Sequence, residues 1–311
     1  EKMQKVVITG ASGFLGNHTA RQLIGDGYAV TALLRESSST DELPVECEPV
    51  RVNFMKPDTI SPFLQNAVAI LHIAGATAAG SLEEFDRANA LVTKNMISAR
   101  NATSPEAVFI YVSSVAAAGP NENGPITAYG CSKLLGEKCT ETTDNWIIVR
   151  PPGIFGPGDS ASRSSFRLAG KGLFISPGIS QSKFPIIYVA DVAALLSILV
   201  DCSRATGKII TPYYKKLYSW SEFHGEIEQA LSKRILHLRI PAPFIKLGGF
   251  ISEVSSALLR NTPFFTLEKT REILADYTIS HMQTDIETMT GWRADTPLRD
   301  ALKKTLEWAG K

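Results

Sequence analysis

The 311-residue sequence predicts an α/β fold: a doubly wound parallel sheet carrying a smaller mixed α/β C-terminal domain. Three observations point there. Short valine- and isoleucine-rich runs bounded by turn residues alternate with segments of helical period. The runs are apolar at nearly every position, as strands covered on both faces must be, and parallel neighbours need crossovers that helices supply. The first run ends in "TGASGFLG", where three closely spaced glycines open a helical pattern.

Taken in order, "KVVITG" reads as the first strand and residues 13–25 as a helix. "YAVTALLR" (28–35) is the second strand and "CEPVRVNF" (47–54) a short third, with a helix near 57–66. "VAILHIAG" (68–75) is the fourth strand, followed by a long helix over 82–101. "AVFIYVSS" (107–114) is the fifth, residues 127–143 are helical, and "NWIIVRPP" (145–152) is the sixth. After Pro151 the texture changes: "PPGIFGPGDSASRSS" is rich in proline, glycine and serine and reads as loop. "FPIIYVADVAALLSILV" (184–200) reads as a strand feeding a helix that rejoins the first domain. The chain ends in "TPLRDALKKTLEWAG", a helix with Thr296 as its cap and Pro297 in its first turn. The expected division is residues 1–150 plus about 184–201 for a dinucleotide-binding domain, and about 151–183 plus 202–311 for a substrate domain.

Composition narrows the function classes. With 44% hydrophobic and 20% charged residues, the profile is globular. A formal net charge of +1, with no long run of one sign, gives no footprint for nucleic acid. Cys47, Cys131, Cys139 and Cys202 are scattered, without metal-site spacing, so no metal is expected and reduced thiols in a cytoplasmic protein are the simplest reading. No signal-like segment opens the sequence, and no apolar stretch reaches the ~18 residues that span a bilayer.

The glycines carry chemistry. A strand-to-helix turn needs one residue able to take positive φ. A diphosphate lying on the helix's first turn needs backbone without Cβ atoms, so that free amides and the helix dipole face the anion. A third glycine lets helix and strand pack closely. Gly10, Gly13 and Gly16 therefore point to nucleotide binding. The second strand ends at Leu34 and Arg35 follows, where an acidic residue would suit a ribose 2′-hydroxyl and an arginine a 2′-phosphate. Arg35, with Ser37 and Ser38, favours NADP, while Glu36 leaves NAD open.

"AYGCSK" places Tyr129 and Lys133 four residues apart on a helix, ~40° apart around the axis and about one turn along it. A tyrosine is a weak acid–base group at neutral pH because its pKa is near 10. An adjacent ammonium favours the phenolate, and lowering that value by ~3 units requires ~4 kcal/mol of differential stabilisation. "YVSSVAAAG" puts Ser113 and Ser114 at the carboxyl end of the fifth strand, where ligands bind in open parallel sheets.

In this order and spacing, "TGASGFLG", "LHIAG", "YVSSVAAAG", "YGCSK", "RPPGIFGPGD" and "IYVADVAALL" resemble the short-chain dehydrogenase/reductases in their extended branch, over most of the chain. The resemblance implies a Rossmann domain with a smaller substrate domain, and a homodimer through the helices at 82–101 and 127–143. It implies Ser114 (counted back from Gly119), Tyr129 and Lys133 as the catalytic group. The implied cofactor-binding set is Gly10, Ser12, Gly13, Phe14, Leu15, Gly16, Arg35, Asn53, Ala74, Gly75, Tyr129, Lys133 and Pro152. Asn89 matches an asparagine of the family's long fourth helix. His72 reads as a packed strand residue and Asp191 as structural. Arg150, Pro151 and Gly153 match the crossing into the substrate domain. Three positions depart from the pattern: Asn53 stands for a usual aspartate, Val92 for a frequent glycine and Val68 for a common aspartate.

The branch contains several chemistries. The strand end "ALLR" and "RPPGIFGPGD" look like the dihydroflavonol reductase and 3β-hydroxysteroid dehydrogenase side, implying an NADP(H)-dependent carbonyl reductase, or alcohol dehydrogenase in reverse. The apolar stretches "PPGIF" and "GLFISPGI" suit a lipophilic small-molecule substrate. The alternative is a nucleotide-sugar epimerase or dehydratase, with Arg163, Arg167 and Lys171 as ligands for a second diphosphate. Val115 and Ala116, standing where dehydratases commonly place acidic residues, argue against dehydration. A catalytically silent dinucleotide-binding protein is a third reading, opposed by the intact Ser114, Tyr129 and Lys133.

Overall fold

The structure is a computed structural model describing residues 3–179, 182–214, 216–259, 267–275 and 286–311. Its centre is a seven-stranded parallel sheet. Six strands are those expected from the apolar runs: β1 (Lys5–Thr9), β2 (Ala29–Leu34), β3 (Glu48–Arg51), β4 (Ala67–His72), β5 (Val108–Val112) and β6 (Trp146–Val149). The seventh, β7 (Lys208–Ile210), pairs with β6 at the edge. Its residues come from the stretch that the sequence reading placed with the substrate domain, and they pair into the main sheet. Three residues are too few to show a period, so only pairing reveals the strand. The order is β7-β6-β5-β4-β1-β2-β3, and its direction reverses between β4 and β1, the switch point at which such sheets open a crevice.

Alternation along each strand splits the core into two layers. Val6, Ile8, Ala32, Leu71, Ile110 and Val149 pack on one face. Val7, Leu33, Ile70, Phe109, Tyr111 and Ile148 pack on the other. Both sets are buried, which is why the strands read as continuous apolar runs. Each strand ends earlier than the apolar run does. Arg35, Asn53, Ala74, Gly75 and Ser114 consequently fall in loops beyond the strand carboxyl ends, along one rim of the sheet.

The helices match with local changes. The segment near 57–66 is a 3-10 turn, Pro57–Thr59, then a single helical turn, Ser61–Leu64, because prolines near both starts interrupt the amide ladder. The long helix runs Leu82–Asp86 and Val92–Thr103, joined through a π turn at Arg87–Leu91. The Tyr129 helix spans Ala128–Thr140. Helix Val189–Ile198 packs against helix Phe14–Gly25, rejoining the first layer as expected.

Three small ribbons build the other wall of the crevice: Gly153–Phe155 with Ile186–Tyr188, Lys183–Phe184 with Tyr218–Ser219, and Leu173–Pro177 with Leu236–Ile240. Helices Arg163–Gly170 and Trp220–Leu231 pack against the C-terminal helix, Leu298–Gly310. That last helix corrects its expected start. Pro297 occupies the N-cap position, and Thr296 is engaged elsewhere, donating its hydroxyl to Asp191 Oδ1 at 2.7 Å. Asp191 also accepts from the Thr296 amide and the Tyr214 hydroxyl, while its carbonyl accepts from Trp292 Nε1 at 2.9 Å. It rivets the C-terminal segment to the first layer, a structural role.

Candidate active site

A cleft of about 2700 Å³ runs along the sheet's carboxyl rim, under the small ribbons. Every residue of the expected cofactor set lines it, from Gly10 to Gly16 through Arg35, Asn53, Ala74, Gly75, Tyr129 and Lys133 to Pro152. Ser114 lines it too, so the sequence-predicted groups converge on one space.

The glycine turn is tightly determined. Gly10 sits at φ +78°, and a Cβ there would lie 2.8 Å from the Ala74 amide nitrogen, where β1 and β4 end side by side. A Cβ on Gly16 would lie 2.0 Å from the Gly10 carbonyl oxygen, so helix and strand come together only without a side chain. Gly13 caps helix Phe14–Gly25 with no side-chain hydrogen bond. The first-turn amides of a helix have no intrahelical partner, and together with the dipole they form an anion cradle. Across the rim, Arg51 donates to the carbonyls of Arg35 (2.9 Å), Glu36 and Ser38, fixing the loop that presents Arg35. Arg51 was not singled out from the sequence, because only the β2–β3 register brings it to that loop. Asn53 lines the cleft, and its side-chain oxygen accepts from the Met55 amide at 2.9 Å.

Below this rim lies a polar relay. The Thr93 hydroxyl donates to the Asn89 carbonyl at 2.6 Å, so it accepts from His72 Nε2 at 3.0 Å. Thr9 Oγ1 accepts from the Ala74 amide and gives its proton to His72 Nδ1 at 2.7 Å. His72 is thus the neutral Nε2–H tautomer, and burial first, then Lys133, lowers its pKa to about 3. This is a packed strand residue rather than a proton carrier. Asn89, in the π turn, clamps the loop after β4: its Oδ1 accepts from the Ala76 amide at 2.8 Å, and its Nδ2 donates to the Ala76 carbonyl and to Ser132 Oγ. π turns recur at functional sites, and this one widens the helix where Asn89 must reach inward.

The two adjacent serines separate cleanly. Ser113 is buried and donates to Glu137 Oε1 at 2.5 Å. Glu137 is also held by Arg150 through two bonds of 2.8 and 2.6 Å. Ser114 extends at the N-cap of a short helical turn and hydrogen-bonds Tyr129. Tyr129 is the second residue of its helix, whose N-cap Thr127 accepts from the Gly130 amide. Thr127 also donates to Glu272 Oε1 at 2.8 Å. Glu272 reaches in from helix Leu267–Leu274, a placement with no signal in the local sequence.

The electrostatics differ from the sequence expectation. Lys133 does lie one turn beyond Tyr129, but its ammonium donates to the Val112 carbonyl at 2.9 Å and faces Gly75, whose added Cβ would come within 2.9 Å of Nζ. Burial lowers the Lys133 pKa to about 8, against the raising effect of Glu137. Tyr129 is pushed up to about 12, chiefly by burial, with the Ser114 hydrogen bond lowering it and Glu272 raising it. Desolvation outweighs any help from the lysine, whose charge is engaged by a main-chain carbonyl. The phenol is therefore held protonated at neutral pH rather than made acidic.

The opposite wall is apolar and aromatic. Phe174, Phe184, Trp220 and Phe223 line it, with the Phe184 and Trp220 rings 4.3 Å apart. The indole Nε1 of Trp220 is buried and has no hydrogen-bond partner among the described residues. Arg163, Arg167 and Lys171 lie outside the cleft: Arg163 stacks over Trp308 at 5.2 Å, and Arg167 and Lys171 border a small surface depression beside Lys303 and Glu307. Among the described residues, no group of three or more His, Cys, Asp or Glu side chains is placed to hold a metal ion.

A model of the NAD-dependent epimerase/dehydratase family matches residues 6–210. The chain is 31% identical over 309 residues to a ceramide reductase from Caulobacter vibrioides, an alignment taking in 97% of this chain and 93% of that protein. It is 23% identical to 3 beta-hydroxysteroid dehydrogenase type 7 from Mus musculus, over 97% and 94% of the two chains. The crystal structure of UDP-glucuronic acid 4-epimerase from Bacillus cereus, in complex with NAD, shares the fold at 18% identity, with a TM-score of 0.73 over 98% of each chain.

Proposed function

The chain belongs to the NAD-dependent epimerase/dehydratase family, and from that premise we propose that it is an NADP(H)-dependent carbonyl reductase, or alcohol dehydrogenase in reverse, acting on a lipophilic substrate. The observation that carries this reading is the junction of two walls: a protonated Tyr129 beside Ser114 on the dinucleotide side, facing Phe174, Phe184, Trp220 and Phe223 on the other.

The glycine cradle, the uncapped helix start and the Gly75 floor fit a nicotinamide dinucleotide. Gly10–Gly16 would hold its diphosphate, Arg35 its 2′-phosphate, Asn53 its adenine and Lys133 its nicotinamide ribose. When bound, the cofactor supplies the hydride for a carbonyl carbon. Ser114 orients the carbonyl oxygen by hydrogen bonding. Tyr129 donates a proton to that oxygen, a direction favoured by a phenol that burial keeps protonated. Lys133 keeps a cation at the cleft floor below about pH 8. The aromatic wall excludes water from the transfer and recognises apolar surface.

Substrate class is supported from two sides. The likeness to a ceramide reductase, over nearly the whole chain, favours an amphiphilic lipid ketone. The likeness in fold to a UDP-glucuronic acid 4-epimerase keeps the alternative in view. Against that alternative, Arg163, Arg167 and Lys171 lie outside the cleft. We further propose a homodimer through the helices 82–103 and 128–140, where Leu91 and Leu135 are exposed apolar residues. The test of function is NADPH oxidation with a panel of ketones of increasing chain length, run beside a panel of nucleotide sugars. Oxidation that grows with ketone chain length is the expected result. Conversion of a nucleotide sugar without net cofactor consumption would replace the reductase reading.

A further inference from the structure

The ribbon formed by Leu173–Pro177 and Leu236–Ile240 has two unlike faces. Its register pairs Leu236 with Leu173, Leu238 with Ile175 and Ile240 with Pro177. Paired and alternate residues share a face, so these six apolar side chains lie together. The other face carries Phe174, Ser176, His237 and Arg239: the Phe174 and His237 rings are 5.3 Å apart, Ser176 Oγ meets His237 Nε2 at 2.8 Å, and Arg239 donates to Ser221 Oγ at 3.1 Å. Half of this apolar face is open, with Leu236 68%, Leu238 48% and Ile175 40% exposed, while Leu173 and Ile240 are half-buried and Pro177 is buried. The chain then enters helix Ala242–Leu259, whose first turns leave Phe244 64% and Leu247 52% exposed. Among the described residues, five of the twelve exposed large apolar side chains are therefore on this ribbon and the helix that follows it. Single exposed apolar residues need no explanation, but a contiguous group does.

Two further features say what covers it. From 233 to 252 the sequence contains Lys233, Arg234 and Lys246, with Arg239 on the ribbon's other face, and neither aspartate nor glutamate. Lys246 is exposed between Phe244 and Leu247, an arrangement in which apolar side chains enter a lipid surface while the ammonium stays at headgroup level. The patch is also continuous with the cleft: Ile175, Pro177, Ile240 and Phe244 belong both to the platform and to the cleft lining. A second copy of the chain seated there by two-fold symmetry would set this basic segment against itself and close the cleft mouth.

We propose that this platform is a membrane-docking surface, which seats the cleft mouth on an anionic lipid bilayer so that an amphiphilic substrate passes from the bilayer to the aromatic wall. The proposal rests on the lipophilic-substrate reading above. It requires no spanning segment, and among the described residues no helix is long and apolar enough to cross a membrane. Apolar insertion supplies adhesion and the basic residues supply preference for anionic headgroups.

The experiment is sedimentation of the full chain with vesicles of phosphatidylcholine containing phosphatidylglycerol, against vesicles of phosphatidylcholine alone. Binding is expected to be about tenfold tighter to the anionic vesicles and to weaken with added salt. The double variant Leu236→Gln/Leu247→Gln should lose about 100-fold in vesicle affinity, while keeping its thermal transition and its NADPH oxidation with a short water-soluble ketone. Lys246→Glu, a single exposed change, should remove the preference for anionic vesicles and serves if the double variant does not fold. Vesicle binding that is absent, or unchanged in both variants, overturns the proposal. So does a protein whose self-association is abolished by the double variant, since the platform is then a face between copies. Sedimentation does not read turnover: failure to bind vesicles with ketone reduction intact removes only the docking surface, and vesicle binding without ketone reduction removes only the reductase.

Discussion

The two walls of the cleft are built on opposite principles. On the sheet side, position is dictated by backbone. Gly16 and Gly10 leave no room for a Cβ, Asn89 is satisfied at both ends of its amide, and His72 sits between two hydroxyls. On the ribbon side, Phe174, Phe184, Trp220 and Phe223 pack by shape, and Phe184 contacts both Trp220 and Phe223 through ring faces and edges. The first wall specifies where a reacting atom must be. The second specifies only that its neighbour be apolar and fit. Changes on the sheet side should therefore act on rate, folding or cofactor affinity, and changes on the ribbon side on substrate affinity.

The sharpest way to break that division is Tyr129→Phe. Loss of the proposed proton donor should lower kcat by about 10²–10⁴-fold with little change in NADPH affinity, read by steady-state turnover and fluorescence titration. Substantial retained turnover would show that the proton comes from elsewhere.

Glu137→Ala removes the carboxylate that pairs with Arg150 and accepts from Ser113. Leaving those partners buried should cost about 3 kcal/mol, read as a lowered midpoint in denaturant unfolding. An unchanged midpoint would mean the network contributes nothing to the sheet-side rigidity.

Phe184→Ala, on the ribbon side, should raise KM for a long-chain ketone about tenfold and leave kcat within about twofold, because it removes apolar contact made equally in ground and transition states. A fall in kcat alone would place Phe184 with the reacting groups and dissolve the comparison.

Arg35→Ala should weaken NADPH about tenfold and NADH hardly at all, the loss of one charge-assisted contact. Equal losses would assign Arg35 to the loop rather than to the 2′-phosphate.

The pH profile gives the smallest effect. The Lys133 pKa is lowered to about 8, so its cation is present below that value and lost as pH rises through it. Tyr129 stays protonated well beyond that point. Reduction should thus be level near neutrality and decline above about pH 8 through a one-proton step. A profile level to pH 10 would show that the Lys133 charge has no part in turnover.

Legibility in the sequence followed the same divide. The strands β1–β6 and the glycine turn were readable because backbone constraint leaves fixed residue types at fixed spacing, whereas Ser114, Tyr129 and Lys133 were picked out by resemblance and the structure adds that they line one cleft. β7 was not, since three residues carry no period and Lys208–Ile210 becomes a strand only by pairing with β6. Arg51 and Glu272 were missed because their partners lie on other elements: the loop after β2 for one, the Thr127 cap for the other. The electrostatic expectation for Tyr129 went the wrong way for a related reason. Spacing on a helix shows that Lys133 is near, but not that its ammonium is held by the Val112 carbonyl, nor how strongly burial opposes the phenolate. The aromatic wall showed itself only as apolar composition.

The measurement that bears most directly on the junction of the two walls is isotope transfer from NADPH deuterated at nicotinamide C4. With an amphiphilic ketone, one deuterium should appear at the new carbinol carbon of the product, with one NADP⁺ released for each turnover. Product formed without deuterium, with the cofactor returned unchanged, would contradict the reductase reading.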